Sequence, residues 1–226
     1  MCGRYSITDP RQLVLRFGLA VPAALEPRYN IAPTQPVPAI VAPRAAGQPG
    51  DGTPVIELLR WGLIPFWAKD QKIGNKLINA RADSLASKPA FRDAARKRRC
   101  LVLADGFYEW KKEKGRKQPM YVRLKSRDPW AFAGLWDEWR APSGEKIRSC
   151  TIVTTEPNAL LTPIHDRMPA ILRPEDEPRW LDLSVEAADL PALLAPYPAE
   201  LMEAYPVSSY VNSPANEGPQ CIAPQD

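Results

Sequence analysis

Residues 100–110, CLVLADGFYEW, open the stretch that decides the fold, which runs on through EKGRK (113–117), PMYVRLK (119–125), WAFAGLWDEW (130–139) and IRSCTIVTTE (147–156). These segments are rich in β-branched and aromatic residues and are separated by short turn-forming or charged stretches. They read as consecutive strands joined by short turns, an antiparallel meander. Upstream, Val55 to Trp61 reads as a further strand running into WGLIPFWAKD, and Val37 to Val41 as a short one. PRYNIAPTQP (27–36), with three prolines, reads as a loop, and residues 43–53 as an exposed loop. Asp9-Pro10 has the form of an N-cap followed by proline at the first helical position. Leu13, Val14 and Phe17 give that helix an apolar face and Gly18 ends it. Ser87 to Arg99 reads as a second helix capped by Ser87, with basic residues at its C-terminal end. Downstream, residues 157–164 and Glu175 to Leu183 suggest short helices. Glu186 to Leu194 is apolar at helical spacing, with Pro191 beginning a new turn. The tail from Val207 is polar and proline-rich and is expected to end loosely.

The chain has 226 residues, 45% apolar and 25% charged, enough for a substantial core. No repeat or composition shift divides it, so one domain is expected over 1–226, with an ordered core of about 2–215. No apolar run is long enough to span a membrane, and Arg4, Asp9 and Arg11 interrupt the start as a signal peptide would not. A cytoplasmic, nucleoid-associated protein without membrane attachment is the expectation. Four cysteines (Cys2, Cys100, Cys150, Cys221) are scattered without a CxxC pair, and His165 is the only histidine. This argues against a zinc site and against a disulfide framework, and no metal or other cofactor is expected. The net charge is +4, but two basic clusters, Arg92–Arg99 and Lys111–Lys117, suit a polyanion.

The first residues, Met1-Cys2-Gly3-Arg4-Tyr5, carry chemistry. Removal of Met1 would leave Cys2 with an α-amine and a thiol on adjacent carbons. An α-amine titrates near ~7.7–8.0 against ~10.4 for lysine, so roughly a quarter of it is neutral at pH ~7.4. Such an amine can form a Schiff base, and the thiol can close a five-membered thiazolidine ring on a captured aldehyde.

MCGRY at the start, NIAPTQ (30–35), LRWGLIPFWAKD (59–70), NARAD (79–83), GFYEW (106–110) and HDRMP (165–169) together resemble the SOS response-associated peptidase, or abasic-site processing, family. The resemblance covers the chain to about residue 215. It implies covalent crosslinking to abasic sites in single-stranded DNA through a thiazolidine on the N-terminal cysteine, protecting the lesion. It assigns Cys2 as the nucleophile, Glu109 as the catalytic carboxylate, His165 as a proton shuttle to the sugar oxygen and Asn79 as the residue that orients the terminus. By the same resemblance Arg4, Arg81 and Arg167 are phosphate partners, and Asn30 and Pro33 of NIAPTQ contact DNA. Phe66 and Trp67 would stack on bases or wedge beside the lesion, with phenylalanine where the family often carries a tryptophan. Thr154 would hydrogen-bond the crosslinked terminus.

The expected architecture is an α+β fold, mainly antiparallel, whose strands curl into a barrel-like sheet with short peripheral helices. The expected partners are single-stranded DNA bearing abasic sites and single-strand/duplex junctions, met by a monomer, with the replication machinery as a further candidate. Strand cleavage of the lyase type, crosslink reversal and autoproteolytic removal of Met1 belong to the same reading. Two alternatives stand beside it: a thiol peptidase using Cys2, Glu109 and His165, and a non-covalent binder of single-stranded or modified DNA.

Overall fold

The run from Cys100 to Trp110 does not form one strand. It breaks at Asp105, whose carboxylate accepts hydrogen bonds from Ser6 Oγ (2.7 Å), Thr8 Oγ1 (2.7 Å), the Thr8 amide and the Asp9 amide (3.3 Å). That carboxylate makes a corner, and the chain passes from one sheet to another there. The computed structural model describes residues 2–19, 25–41, 54–113, 115–186 and 189–225. The expected loop at 43–53 lies outside them.

Among these residues the strands and helices are, in order, β1 (Arg4–Ile7), α1 (Pro10–Phe17), β2 (Arg28–Ile31), β3 (Pro36–Val41), β4 (Val55–Trp61), β5 (Asn79–Arg81), α2 (Arg92–Lys97), β6 (Arg99–Ala104), β7 (Gly106–Glu113), β8 (Arg116–Leu124), β9 (Trp130–Arg140), β10 (Lys146–Thr155), β11 (Met168–Pro169), α3 (Glu177–Leu181), α4 (Leu190–Leu193) and β12 (Met202–Pro206). Strand β3 pairs with β4 and β6, β6 with β9, and β9 with β10, all antiparallel. β10 then pairs with β4 in parallel, Ser149 beside Arg60, and closes a five-stranded barrel. A second, wholly antiparallel sheet runs β12-β8-β7-β1-β2. The fold is therefore α+β and mostly antiparallel, as expected. The meander is corrected to two hairpins, β7–β8 and β9–β10, in different sheets. The sheets are joined through a chain of aromatic rings packed edge to face. Tyr5 of β1 meets Trp61 of β4 (centroids 5.3 Å apart) and Phe132 of β9 (5.9 Å), and Phe107 of β7 also meets Phe132 (6.2 Å).

Helix α1 forms as read. Asp9 accepts from the Arg11 amide at 3.0 Å, and Gly18 (φ 62°) takes the left-handed cap, its N–H donating to the Val14 carbonyl at 2.9 Å. The helix expected over Ser87 to Arg99 is only Arg92–Lys97, because burial removes its end. Arg99 belongs to β6, and its fully buried guanidinium donates to the carbonyls of Trp180 (2.6 Å), Ala95 (2.8 Å) and Asp182. Arg98 pairs with the nearly buried Asp137 at 3.2 Å. Two of the five basic residues of the first cluster, Arg98 and Arg99, are thus bound within the protein.

Residues 157–164 form successive turns, not a helix. Asn158 Oδ1 accepts from the Leu161 amide (3.0 Å), and Pro163 supplies no donor to continue. Part of the expected loop at 27–36 is β2, recruited by β1 with Tyr5 opposite Ile31. Helices α3 and α4 lie inside the expected spans, Pro191 in the first turn of α4.

The tail is not loose. Asn30 Nδ2 donates to the carbonyls of Val211 (3.2 Å), Ser213 (2.9 Å) and Asn216 (2.8 Å), Val207 bridges to Pro224, and Val211 and Cys221 are buried. Local polarity hid this, because the holding groups lie some 180 residues away in the chain. No helix of the described residues is long and apolar enough to cross a membrane.

Gly106, directly after the corner, leaves room for Tyr121. A Cβ there would stand 2.0 Å from the Tyr121 hydroxyl oxygen and 2.2 Å from the ring carbon that bears it. Gly106→Ala is expected to destabilise the protein by about 1–3 kcal/mol or more through overpacking. The double variant Gly106→Ala/Tyr121→Ala should lose less than the sum of the two single losses. Urea denaturation of the four proteins reads this, and simple additivity would show that the clash is not the cause.

Candidate active site

The start of the chain is gripped from two sides. β1 lies antiparallel to β7 with Arg4 opposite Tyr108, so the register continued by one residue sets Gly3 beside Glu109. β5 lies parallel to β10, with Asn79 beside Ile152 and Arg81 beside Thr154. From there Asn79 Nδ2 donates to the Cys2 carbonyl at 2.8 Å. Its buried Oδ1 has no hydrogen-bond partner among the described residues. Cys2 is fully buried and its thiol donates to the Arg4 carbonyl at 3.5 Å.

Burial pushes the Cys2 thiol far above its ordinary pKa, and the negative charge of Glu109 adds to this. The positive charge of the chain terminus and the Arg4 carbonyl contact work the other way. Glu109 is itself almost fully buried, and burial raises its carboxyl to about 7 against the pull of the terminal charge. Thiol, carboxyl and terminal charge therefore share one electrostatic neighbourhood.

His165 is half-buried on the turn before β11. Burial first, then the terminal charge, holds its pKa below the usual imidazole value, while Asp166 pulls it up. Nδ1 stands 3.0 Å from the Arg167 amide and 2.8 Å from Asp166 Oδ1. The Arg167 N–H donates to an unprotonated Nδ1, whereas the Asp166 contact needs a proton on that nitrogen, so the two contacts belong to different states of the ring.

Arg167 donates to the Thr154 carbonyl (2.7 Å) and lies 3.8 Å from Asp83, which Arg81 binds at 2.6 Å. Asp83 thus stands between the two arginines. Thr154 is fully buried, with Oγ1 3.5 Å from the Ala80 carbonyl. Two hollows, of 660 and 590 Å³, share Pro157, His165 and Asp166 and form one open groove from Arg81 and Arg167 to Trp110 and Lys112. Among the described residues no group of three His, Cys, Asp or Glu side chains is placed to hold a metal ion.

The remaining expected residues stand apart from this groove. Arg4 is half-buried and donates to Asn30 Oδ1 (2.7 Å) and to the carbonyls of Val211 (2.8 Å) and Asn212 (3.1 Å). Asn30 is fully buried and braces Arg4 and the tail, so its amide is used within the protein. Pro33 lies in the turn before β3, where the Thr34 amide donates to the Trp61 carbonyl at 2.7 Å. Phe66 and Trp67 follow β4 and are not core residues, being 54% and 47% exposed. Asp83 and Asp166 were missed by sequence reasoning, although each lies inside a motif, two residues after Arg81 and one after His165.

A barrel with a second sheet, arranged to bury a cysteine next to the chain's start beside a carboxyl of raised pKa, defines a protein built around its own N-terminal segment. The chain belongs to the SOS response associated peptidase (SRAP) family, which it matches over residues 1–214. It is 45% identical to the abasic site processing protein YoqW of Bacillus subtilis (strain 168), over 98% of this chain and 99% of that protein. It is 34% identical to the abasic site processing protein HMCES of Gallus gallus, over 88% of this chain and 66% of the relative. A crystal structure of a Bacteroides thetaiotaomicron protein, 29% identical, superposes with a TM-score of 0.86 over 99% of this chain and all of that one.

The raised pKa of Glu109 carries a sign for stability. The folded form holds its proton up to about pH 7, whereas an unfolded glutamate releases it near ~4.3. The native state binds more protons between these values, so stability falls as pH rises through that window, by about 4 kcal/mol at most. Glu109→Gln should therefore stabilise the protein at pH 8 relative to its effect at pH 4. Urea denaturation at both pH values checks this, and an equal effect at both would contradict the shift.

Proposed function

We propose that this protein processes abasic sites in single-stranded DNA by covalent capture on Cys2, once Met1 has been removed. The observation that carries the reading is the shared neighbourhood of the Cys2 thiol and the buried Glu109 carboxyl, with Asn79 holding the Cys2 carbonyl. The names of the relatives support the substrate class.

The neutral α-amine attacks C1′ of the open-chain aldehyde. Loss of water gives an imine, the departing hydroxyl taking a proton from an acid. The thiol then adds across the C=N bond: sulfur bonds to C1′, and the nitrogen ends with the proton the thiol gave up. Both steps need a group that gives and takes protons near neutrality, which suits a carboxyl held at about 7. The buried thiol stays protonated until the imine forms, so it does not compete with the amine for the aldehyde. A thiol peptidase needs the opposite, a depressed thiol pKa. The free Oδ1 of Asn79 can accept from the α-amine and aim its lone pair. His165, whose pKa is held below the usual imidazole value, assists opening of the sugar ring.

Phosphates fall to Arg81 and Arg167, which exchange Asp83 for the backbone, and to the remaining N–H groups of Arg4. Exposed Phe66 and Trp67 offer faces for bases. Thr154, behind Arg81, and Asn30, behind Arg4, act by support, and Pro33 shapes the turn beside β4.

Cys2→Ser should lose the heat-stable adduct with an abasic oligonucleotide yet keep a borohydride-reducible one, because the amine survives. A stable adduct at wild-type yield from Cys2→Ser would refute the thiazolidine. A protein that gives no reducible adduct in either form would be a peptidase or a simple binder.

Glu109→Gln should slow both capture and release of a preformed crosslink, by ~10²–10⁴-fold, since acid and base exchange roles on reversal. His165→Gln should slow mainly the sugar-opening step, so an abasic analogue whose aldehyde cannot close to the hemiacetal should restore much of its rate. Single-turnover time courses, followed by a chase with excess unlabelled lesion, read both. Wild-type rates from Glu109→Gln would make that carboxyl structural.

A further inference from the structure

The second basic cluster has no role in the reading above, and its geometry is unusual. Lys112 of β7 and Lys117 of β8 stand directly opposite each other across the hairpin, and both are exposed. Like charges placed so destabilise a sheet. Among the described residues neither lysine is paired with an acid. The neighbouring positions are balanced instead: Lys111 is bound by Glu113, and Arg116 stands opposite Glu113.

Lys112 also lines the groove, two residues from Trp110 on the same strand face, with Ile164 and His165 across the hollow. Trp110 is fixed there by a 2.8 Å hydrogen bond from Nε1 to Asn212 Oδ1. The groove thus has Arg81 and Arg167 at one end, His165 in its shared middle and Lys112 at the other end, and Lys117 stands beside Lys112 across the hairpin. A polyanion laid along it would relieve the repulsion that the free protein carries.

We propose that Lys112 and Lys117 form a second phosphate-binding site, which takes the DNA backbone on one side of the lesion while Arg81 and Arg167 take it on the other. The proposal rests on single-stranded DNA being the ligand. It adds that the strand leaves the reacting groups along the β7–β8 hairpin.

The test uses Lys112→Gln, Lys117→Gln and the double variant, with Lys146→Gln, which carries the Glu138 partner on another hairpin, as control. Abasic oligonucleotides carry one flanking nucleotide on each side, or six on one side only. Capture rates at subsaturating protein are taken from 50 to 200 mM salt. Each lysine removed should flatten the slope of log rate against log salt by about 0.7, a roughly 2- to 3-fold change over that range. The deficit should grow when one particular flank is lengthened and not when the other is.

Equal slopes for variants and wild type on every oligonucleotide would overturn the proposal. So would a deficit that is the same on the shortest oligonucleotide as on both long ones, which would place the lysines in the chemistry. Binding to an undamaged oligonucleotide, read in the same salt series, tests the lysines separately. Flattened binding slopes with no capture by any protein would uphold this site and refute only covalent capture. Melting temperatures should not fall in either single variant, since each removes a like-charge contact.

Discussion

Desolvation of a single carboxyl group, Glu109, is the constraint on which the rest of this site depends. In water its proton would leave near ~4.3 and it would be a plain anion at neutral pH. Enclosed between the two sheets it keeps the proton to about pH 7. Its field raises the Cys2 thiol further, so one buried group sets the state of another. The enclosure is not local. It needs β1 to lie against β7, and that needs the Asp105 corner, the Gly106 gap under Tyr121 and the aromatic chain from Phe107 and Tyr5 to Phe132.

The polar groups kept inside fall into two kinds. Arg99 and Asn30 are wholly buried and spend their donors on backbone carbonyls, which makes them fasteners. Asn79 is different: one atom of its amide holds Cys2 and the other is buried without a partner among the described residues. An unmet acceptor of this kind costs about 1–3 kcal/mol, a burden that a fastener does not carry.

The sequence was legible where period and caps act locally. α1 keeps its Asp9 cap and Gly18 stop, and β4 runs from Val55 to Trp61 as read. It misled where a distant partner decides. Arg99 looks like the end of a basic helix and is drawn into β6 by carbonyls of residues 180 and 182. The polar tail looks loose and is held by Asn30. The meander splits because Asp105, one residue among apolar neighbours, finds Ser6 and Thr8 across the fold. For the site, the motifs of the family resemblance pointed to Cys2, Asn79, Glu109 and His165; the fold sets Asn79 on the Cys2 carbonyl and Glu109 within the field of the Cys2 thiol, and puts His165 in the groove. Asp83 and Asp166 were not legible, because a carboxylate beside an arginine or histidine in sequence gives no sign of which charge it will face.

Topology explains why such distant positions meet without a loop to carry them. β10 has a parallel neighbour, β5, that brings Asn79 and Arg81, and an antiparallel neighbour, β11, that brings the HDRMP turn. β7 brings Glu109 from the second sheet, and β1 lies on it. Thr154 is paired with both Arg81 and Pro169, so one β10 residue fixes the spacing between the two arginine-bearing segments. Ladder hydrogen bonds hold such spacings far more closely than loops do, because a slip of one residue would turn every side chain to the opposite face. The groove's two ends are built the same way: Arg81 is set by the β5–β10 register and Lys112 by the β7–β8 register. Each cationic end is therefore held in place by the register of its own sheet.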